Sequence, residues 1–374
     1  MAEARRPLRL LVAAGGTGGH LYPAIAVAER FRDLAEGAEV IFVGTERGLE
    51  SSIVPAAGFP LELVRAAPLR GGSLLRKLRG VQGLFFGLFD SVRLLKRFDP
   101  QIVMGVGAYV SGTLLLAAAL KRIPTLILEP NAEPGLANRW LAPFVDEAAC
   151  AWEETTRYFG KKGFVTGNPV RREIVEVLPL GPQTSKKMRV LIFGGSQGSA
   201  ALNRAIEGSL SILSSELHRL DWVHQTGPRG LPSVREAYAR HSVRAQVVPY
   251  IERMHEAYEA ADLVIARAGA TTCAELACAG RGALLLPLPL AGGHQERNAE
   301  MMAGAGAARV LRESDLTPAI SGRLAREILD LLNAPEERTR MAASARALAR
   351  PDAADNVARR LLRLSGLAGE EALT

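Results

Sequence analysis

Cysteine, long apolar runs and metal-binding motifs are scarce or missing in this chain of 374 residues. Its three cysteines, Cys150, Cys273 and Cys278, form no even disulfide set, and the spacing of the last two does not match a zinc pair. We therefore expect free thiols in a reducing, cytosolic compartment.

No apolar stretch approaches the roughly 18 to 20 residues that a membrane-spanning helix requires. Arg5 and Arg6 precede only a short apolar run, which ends in glycines and does not fit a secretory signal. The sequence therefore predicts a soluble protein, or one that lies on a membrane without crossing it.

Two nucleotide-site patterns are also absent. The first glycine loop lacks the G-x-G-x-x-G pattern of dinucleotide sites, and the acid expected after the second strand is unclear, since Glu46 follows Gly44-Thr45. An Asp-x-Asp element that would hold a divalent ion on a sugar diphosphate is missing as well. These absences weigh against an NAD-dependent oxidoreductase and against a metal-dependent transferase.

What the chain does have is two glycine loops, each directly after a strand-like run. Gly15 to His20 follows Leu8–Ala14, and Gly194 to Gly198 follows Val190–Phe193. A helical pattern comes after each loop, so backbone N–H groups and a positive helix end would be available to a diphosphate. The alternative for either loop is a tight strand-to-helix turn without ligand.

Short apolar runs alternate with helical patterns along both halves, which predicts parallel sheets covered by helices on both faces. A stretch without periodicity at Leu178–Lys187 predicts a linker. We expect an α/β fold of two doubly wound domains facing a cleft, with residues 1–170, 171–350 and a final helix over 351–374 that returns to the first domain. The predicted strands are 8–14, 39–43, 101–104, 125–128, 147–151, 164–166, 190–193, 222–225, 246–248, 263–266, 283–286 and 308–310.

The net charge is +7, and its local distribution is informative. Leu69–Arg97 interleaves seven basic residues with leucines and phenylalanines around a single acid, Asp90. This composition is typical of a segment that lies on an anionic membrane, although a core helix with a solvated basic edge has the same pattern. No nucleic-acid-binding motif is present, so we expect no nucleic-acid partner.

Five motifs in order, and a sixth near the end, then carry a resemblance. They are G-G-T-G-G-H at 15–20, G-V-G-A-Y-V-S-G at 105–112, T-G-N-P-V-R at 166–171, G-G-S-Q-G at 194–198, A-R-A-G-A-T-T-C-A-E at 266–275 and H-Q-x-x-N-A at 294–299. From about Arg9 to Ala358 the chain closely resembles the peptidoglycan glycosyltransferases that add N-acetylglucosamine to lipid I, making lipid II. The resemblance implies the GT-B architecture of two Rossmann-like domains.

The resemblance also implies a donor pocket for UDP-N-acetylglucosamine. Within it, Ser196 and Arg171 match groups on the diphosphate, Ile251 matches the residue whose backbone contacts uracil, and Glu275 matches the carboxylate on the ribose. The alternatives are a surface role for Arg171 and a first-turn acid that complements a helix dipole for Glu275. The full implied set is Thr17, Gly18, Gly19, Asn131, Arg171, Ser196, Ile251, Ala270, Thr271, Thr272, Cys273, Ala274, Glu275, Gln295 and Asn298.

On the acceptor side the resemblance implies Tyr109, Glu129 and Asn138. His20 is the candidate general base, because an imidazole at a loop end can take the proton of the attacking hydroxyl; the alternative is that it orients the following helix. The chain departs from the family at Leu128-Glu129-Pro130-Asn131, where His-Glu-Gln-Asn is usual, and at Ala108 and Gly292. The loss of the second histidine puts a mechanism that relies on it in doubt.

We therefore expect an inverting transfer from UDP-N-acetylglucosamine to the C4 hydroxyl of the muramoyl unit of lipid I, with no metal and no cofactor. The protein would be peripheral on the cytoplasmic side of the inner membrane, bound to anionic lipid through Leu69–Arg97, and other cell-wall synthesis proteins are possible partners. Rival interpretations are an NAD-dependent oxidoreductase, a non-catalytic membrane scaffold, and an enzyme of the same fold with another acceptor or with UDP-N-acetylglucosamine 2-epimerase activity.

Overall fold

A computed structural model describes residues 7–46, 48–65, 74–181, 187–289, 293–312 and 319–366. The chain divides into two compact units, the first formed by Met1–Arg171 with Pro351–Thr374 and the second by Arg172–Arg350. Each unit contains one parallel sheet.

Strands and helices alternate almost throughout. The strands are β1 (Arg9–Ala13), β2 (Glu39–Gly44), β3 (Leu61–Leu63), β4 (Ile102–Gly105), β5 (Thr125–Glu129), β6 (Glu147–Cys150), β7 (Gly163–Val165), β8 (Met188–Phe193), β9 (Leu220–Gln225), β10 (Ala245–Val248), β11 (Leu263–Ala266), β12 (Ala283–Leu285) and β13 (Ala308–Val310). The helices are α1 (Gly18–Leu34), α2 (Glu50–Ala56), α3 (Leu74–Phe98), α4 (Ala108–Leu120), α5 (Leu136–Leu141), α6 (Glu153–Thr156), α7 (Arg172–Val175), α8 (Ala200–Leu210), α9 (Leu231–Arg240), α10 (Met254–Ala260), α11 (Ala270–Ala279), α12 (His294–Gly304), α13 (Ala319–Asn333), α14 (Pro335–Ala347) and α15 (Ala353–Leu364).

The sheet of the first unit has the order β3-β2-β1-β4-β5-β6-β7. Its central strands are apolar on both sides because helices cover both faces. One face packs against α1, α2 and α15, and the other against α3, α4 and α5. Val357, Leu361 and Leu362 of α15 are buried in the first of these layers, so α15 belongs to the core of the first unit.

The sheet of the second unit has the order β10-β9-β8-β11-β12-β13. Its largest core cluster joins the sheet to α8, α9, α13 and α14, with Trp222 among its fully buried side chains. The strand before each glycine loop, β1 or β8, therefore lies where the strand order reverses, which is the position where doubly wound sheets bind ligands.

The predicted fold class, with two doubly wound parallel-sheet domains, is confirmed. Predicted strand ends differ from the observed ones by at most two residues, and β3 was missed. β3 is a three-residue edge strand with no fully buried side chain, so it leaves no periodic pattern. Helix α3 begins at Leu74, and residues 69–73 of the predicted membrane segment and 182–186 of the predicted linker lie outside the described residues.

Candidate functional site

The first glycine loop joins β1 to α1. Gly16 has a φ of +88°, a left-handed conformation that favours glycine, and Thr17 in extended conformation begins the helix. Thr17 is exposed while Gly18 is buried, so the predicted residues Thr17, Gly18 and Gly19 form the tip of the loop and the first turn of α1.

A buried carboxylate lies behind this loop. Glu50, the first residue of α2, accepts hydrogen bonds from Gly16 N (3.0 Å), Thr45 N (2.8 Å) and Thr45 Oγ1 (2.9 Å) and is fully buried. Burial by itself raises the pKa of Glu50, but the backbone and hydroxyl donors outweigh it, so that its pKa lies below the usual value. The Gly16 N–H is thus already paired with an internal anion.

His20 lies in the first turn of α1 and faces the loop after β4. A methyl group at Gly107 would lie 3.4 Å from His20 Nε2 and 3.9 Å from Asn138 Nδ2. Gly107 has a φ of +93°, and Ser111 Oγ donates to the carbonyl of Ala13, which ties this loop to β1. The structure therefore brings together His20 and Asn138, two of the predicted site residues.

Glu129, at the end of β5, organises the next loop. Its carboxylate accepts from Asn131 N (2.9 Å), Asn131 Nδ2 (3.1 Å), Gly135 N (3.0 Å) and Asn138 Nδ2 (2.8 Å). Burial raises the pKa of Glu129, and these four donors oppose the shift without cancelling it. Glu129, Asn131 and Asn138 therefore form one network in which Glu129 holds the other two side chains in place.

Arg171 is also fixed within the first unit. Its guanidinium lies over the ring of Tyr22, 4.3 Å from the ring centroid, and Tyr22 is one turn beyond Gly18 in α1. Arg171 is thus held on α1 close to the first glycine loop. The side chain of Tyr109 is outside the part of the chain that the structure describes.

The second glycine loop, between β8 and α8, packs closely against the backbone that follows β9. Gly195 and Gly198 have φ of +87° and +71°, and a methyl group at Gly198 would overlap the carbonyl of Thr226. Gly227 (φ +75°) packs equally closely on the Gln197 carbonyl. The half-buried Ser196 is therefore displayed by a loop that has little freedom to move.

A buried arginine lies at the base of this loop. Arg267, directly after β11, donates through Nε to Ser199 Oγ (2.9 Å) and through a terminal nitrogen to the carbonyls of Leu286 (2.9 Å) and Pro287 (3.3 Å). Ser199 is the N-cap of α8, where its hydroxyl also accepts from Leu202 N. One guanidinium thus joins the ends of β8, β11 and β12 and places positive charge at the switch point.

Helix α11 begins one residue after Gly269 at the same edge of the sheet, so the predicted run Ala270–Cys273 forms its first turn. Thr271 and Cys273 are buried, and the positive end of the helix dipole at such a turn favours an anion. Glu275 is the sixth residue of α11, buried, and accepts from the Tyr258 hydroxyl (3.1 Å). The alternative of a first-turn acid is therefore wrong for Glu275.

The remaining donor-side residues approach the same edge from α12 and from the end of β10. Gln295 Oε1 accepts from Leu288 N (2.9 Å), and the buried Asn298 donates from Nδ2 to the Ala268 carbonyl (3.2 Å). Both amides therefore anchor α12 to the loops after β11 and β12. Ile251 is half-buried and follows β10 by three residues.

The sequence interpretation missed Glu50 and Arg267. Arg267 lies inside the A-R-A-G-A-T-T-C-A-E motif, and that position was its available signal; Glu50 follows β2 in a segment with no motif. It also missed the support behind the second loop, in which Asn203 donates to the Thr226 carbonyl (3.0 Å) and accepts from His224 Nε2 (3.2 Å). Burial lowers the pKa of His224 to about 3, so this imidazole is neutral.

Three phenylalanines of α3 lie on the surface. Phe85, Phe86 and Phe89 are 68%, 43% and 52% exposed, with Arg65 stacked on Phe86 and Arg93 on Phe89. Asp90 is paired with Arg65, so the one acid of the segment is neutralised. Within the described ranges, no helix has the length and apolarity to cross a bilayer, and no group of three His, Cys, Asp or Glu side chains is arranged to hold a metal ion.

Comparisons with known proteins match each of the two units to a domain of one glycosyltransferase family. Residues 10–150 match the glycosyltransferase family 28 N-terminal domain, and residues 189–357 match the corresponding C-terminal domain. A UDP-N-acetylglucosamine–N-acetylmuramyl-(pentapeptide) pyrophosphoryl-undecaprenol N-acetylglucosamine transferase of Pelobacter propionicus is 42% identical over 93% of this chain and 97% of its own length. The transferase of the same description from Myxococcus xanthus is 42% identical over 94% of this chain and 91% of its own.

Among solved structures, MurG of Acinetobacter baumannii superimposes with a TM-score of 0.76 at 33% identity, covering 96% of this chain and all of the other. A UDP-N-acetylglucosamine 2-epimerase of Neisseria meningitidis, solved with UDP-N-acetylglucosamine, gives a TM-score of 0.68 at 14% identity, covering 95% of this chain and all of the other. The second likeness shows a shared fold alone.

Proposed function

The chain belongs to the pyrophosphoryl-undecaprenol N-acetylglucosamine transferase family, and we propose that it transfers N-acetylglucosamine from UDP-N-acetylglucosamine to lipid I. The C4 hydroxyl of the muramoyl unit attacks C1 of the donor sugar in line and expels UDP. The configuration at C1 inverts, and the product is lipid II with a β-1,4 linkage.

The observation that carries this proposal is the concentration of positive charge at the switch point of the second unit. The starts of α8 and α11 and the buried Arg267 guanidinium lie at the carboxyl ends of β8 and β11. A leaving diphosphate needs its charge stabilised more than it needs a proton, and preorganised N–H groups provide this without reorganisation. The fixed Ser196 loop suits the same group.

We assign the rest of the donor to the residues around that edge. Ser196 and the backbone of Ala270–Cys273 bind the diphosphate, Glu275 binds ribose, Gln295 and Asn298 bind the sugar, and Ile251 contacts uracil. Arg171, which lies in the first unit, stays a prediction from the family resemblance. The hydrogen bonds of Glu275 with Tyr258 and of Gln295 with Leu288 support this assignment, since they hold both side chains in defined positions.

On the acceptor side we propose His20 as the general base. Its Nε2 faces Gly107 in the loop that precedes Tyr109, beside Asn138. Glu129 acts through Asn131 and Asn138, because its own oxygens already accept hydrogen bonds from the segment that follows β5. No step requires the histidine that Leu128 replaces.

Two rival functions differ from this proposal in specific ways. A dinucleotide enzyme would lay a pyrophosphate against the first glycine loop, where the Glu50 carboxylate already accepts the Gly16 N–H. A 2-epimerase would act on the same donor without an acceptor. The family relationship favours the transferase, and the products of the reaction distinguish the two.

The decisive experiment measures transfer of labelled N-acetylglucosamine to a lipid I analogue, with a metal chelator present. We expect transfer by the wild type, loss of at least 100-fold in Glu275→Ala, and a fall in kcat for His20→Ala; Glu256→Ala and His218→Ala are the exposed controls. Appearance of a 2-epimer without transfer would establish the epimerase, and failure of both reactions despite donor binding would point to another acceptor.

We also propose that the protein binds the cytoplasmic membrane surface through α3. Exposed phenylalanines beside Arg93 and Lys96 are suited to the headgroup region of anionic bilayers. Phe85→Ser with Phe89→Ser should abolish co-sedimentation with anionic vesicles, whereas Ile212→Ser, at an exposed apolar residue of the second unit, should not. Equal binding by both variants would contradict this assignment.

A further inference from the structure

The carboxylate of Glu50 is enclosed to a degree that its position in α2 does not require. Gly44 and Gly48 both make room for it: a methyl group at Gly44 would lie 2.5 Å from Glu50 Cγ, and one at Gly48 would overlap the carboxylate. Gly15 is close as well, since a methyl group there would lie 3.0 Å from Oε1. Three glycines, one at the end of β2 and one on each of two loops, thus surround one acidic group.

The contacts of this group connect the ends of two strands. Oε2 accepts from Gly16 N after β1, and Oε1 accepts from Thr45 N and Thr45 Oγ1 after β2. These hydrogen bonds are charge-assisted because their acceptor is a carboxylate, and Glu50 is fully buried. Glu46, which is nearer to β2 in sequence, is exposed.

An N–H group that already donates to a carboxylate is a poor partner for a phosphate, and a buried negative charge behind the loop repels one. In the loop whose sequence resembles a phosphate site, the Gly16 N–H is therefore already paired with a carboxylate of the protein itself. Its tip is instead held rigid from behind, and this tip carries Thr17, Gly18 and His20.

We propose that Glu50 is a positioning residue of the transferase. Its carboxylate takes the place at the first glycine loop where a bound anion would otherwise lie, and it thereby holds Thr17–His20 in position to act on the acceptor hydroxyl. This inference rests on the proposed function for its kinetic consequence. Its structural consequence, a loop held closed by a carboxylate, can be measured without any activity.

Three variants test it. Glu50→Gln keeps the shape of the side chain but places an NH2 donor against the N–H of either Gly16 or Thr45. Glu50→Ala removes the carboxylate, and Glu46→Gln is the matched control on the same loop. We expect kcat to fall about 100-fold in both Glu50 variants with little change in the KM for UDP-N-acetylglucosamine, since misplacement of about 1 Å can have that effect. Glu46→Gln should equal the wild type.

Chemical rescue separates positioning from general damage. Formate should restore at least a tenth of the wild-type kcat to Glu50→Ala, because a small carboxylate fits the space that the Glu50 carboxylate leaves. It should not affect Glu50→Gln, in which that space stays filled. Amide hydrogen exchange of the segment 15–20 should accelerate in both variants and slow again with formate in Glu50→Ala only.

The inference is overturned if exchange in segment 15–20 is unchanged in the Glu50 variants, or if it accelerates and formate has no effect on it. Unchanged kcat in variants beside an active wild type likewise overturns it. An inactive wild type would contradict the proposed function instead, and the exchange measurement would still decide the role of Glu50.

Discussion

The two glycine loops follow corresponding strands in two parallel sheets, of seven and six strands, that share the order of their first six strands. Opposite charges are nevertheless buried behind the two loops. Glu50 lies behind the first loop and accepts the Gly16 N–H, whereas Arg267 lies behind the second and donates to Ser199. In both units the strand order therefore places the backbone N–H groups of a glycine loop at the carboxyl ends of the parallel strands, where doubly wound sheets bind ligands. The sign of the buried charge determines which edge suits a diphosphate.

The loops also differ in how they are held. A methyl group at Gly16 would meet nothing within 4 Å, while one at Gly198 would overlap the Thr226 carbonyl. The first loop is held by a polar contact on one side and the second by close packing of two backbones. Substitutions at these positions should therefore have different effects.

The largest expected effect is on packing. Gly198→Ala adds steric overlap to the strain of a left-handed residue and should lower the free energy of unfolding by about 3 to 4 kcal/mol. Gly16→Ala should lower it by only about 1 kcal/mol, because strain acts alone. Urea denaturation of both, with Gly58→Ala (φ +75°, open surroundings) as the reference for strain, makes the measurement. Equal losses at Gly16 and Gly198 would remove the distinction.

Removing the buried cation should come next. Arg267→Met leaves the Leu286 and Pro287 carbonyls without their donor and should weaken UDP binding about 10- to 100-fold, with a stability loss of about 2 kcal/mol. Arg253→Met, at an exposed arginine of the same unit, is the control. Isothermal titration with UDP measures the affinity, and unchanged affinity in Arg267→Met would separate Arg267 from the donor site.

Acid should weaken the second loop before the first. The folded-state pKa of His224, about 3, lies below its ordinary value near 6.5, so its contribution to stability is complete above that value and is lost as the pH falls toward 3. The expected loss is about 2 kcal/mol by pH 5.

His224 supports Asn203, which holds the Thr226 carbonyl against Gly198. The protection factors of segment 194–199, which are corrected for the slower intrinsic exchange at lower pH, should therefore fall between pH 7 and 5. Those of segment 15–20, held by an acid whose pKa is lowered, should stay unchanged. His218→Gln, at an exposed histidine, should leave this profile unchanged. Simultaneous loss of protection in both segments would contradict the difference.

The smallest expected effect concerns the thiols, which both units bury. Burial raises the pKa of Cys150 and Cys273 to about 12 and that of Cys278 to about 11. At pH 8 about one Cys278 in a thousand is thiolate, so iodoacetamide should leave the native protein unmodified and label all three cysteines in urea. Native labelling of Cys273 alone would indicate that the start of α11 opens.

Local patterns were sufficient for much of the fold. Short apolar runs that alternate with helical patterns predicted twelve of the strands, because a strand buried on both faces needs an uninterrupted apolar sequence. Among the site residues, the family resemblance indicated Asn131 for the donor side and Glu129 and Asn138 for the acceptor side, and in the structure Glu129 accepts hydrogen bonds from both asparagines.

The sequence by itself determined the alternation of strands and helices, the two glycine loops and the family, since each depends on residues adjacent in the chain. The tertiary structure alone decided that Glu50 would turn inward to Gly16 rather than Glu46, and that Arg267 would join three strand ends. Both outcomes depend on which backbone donors and acceptors the folded sheet leaves unpaired at its edge, and these come from segments distant in sequence.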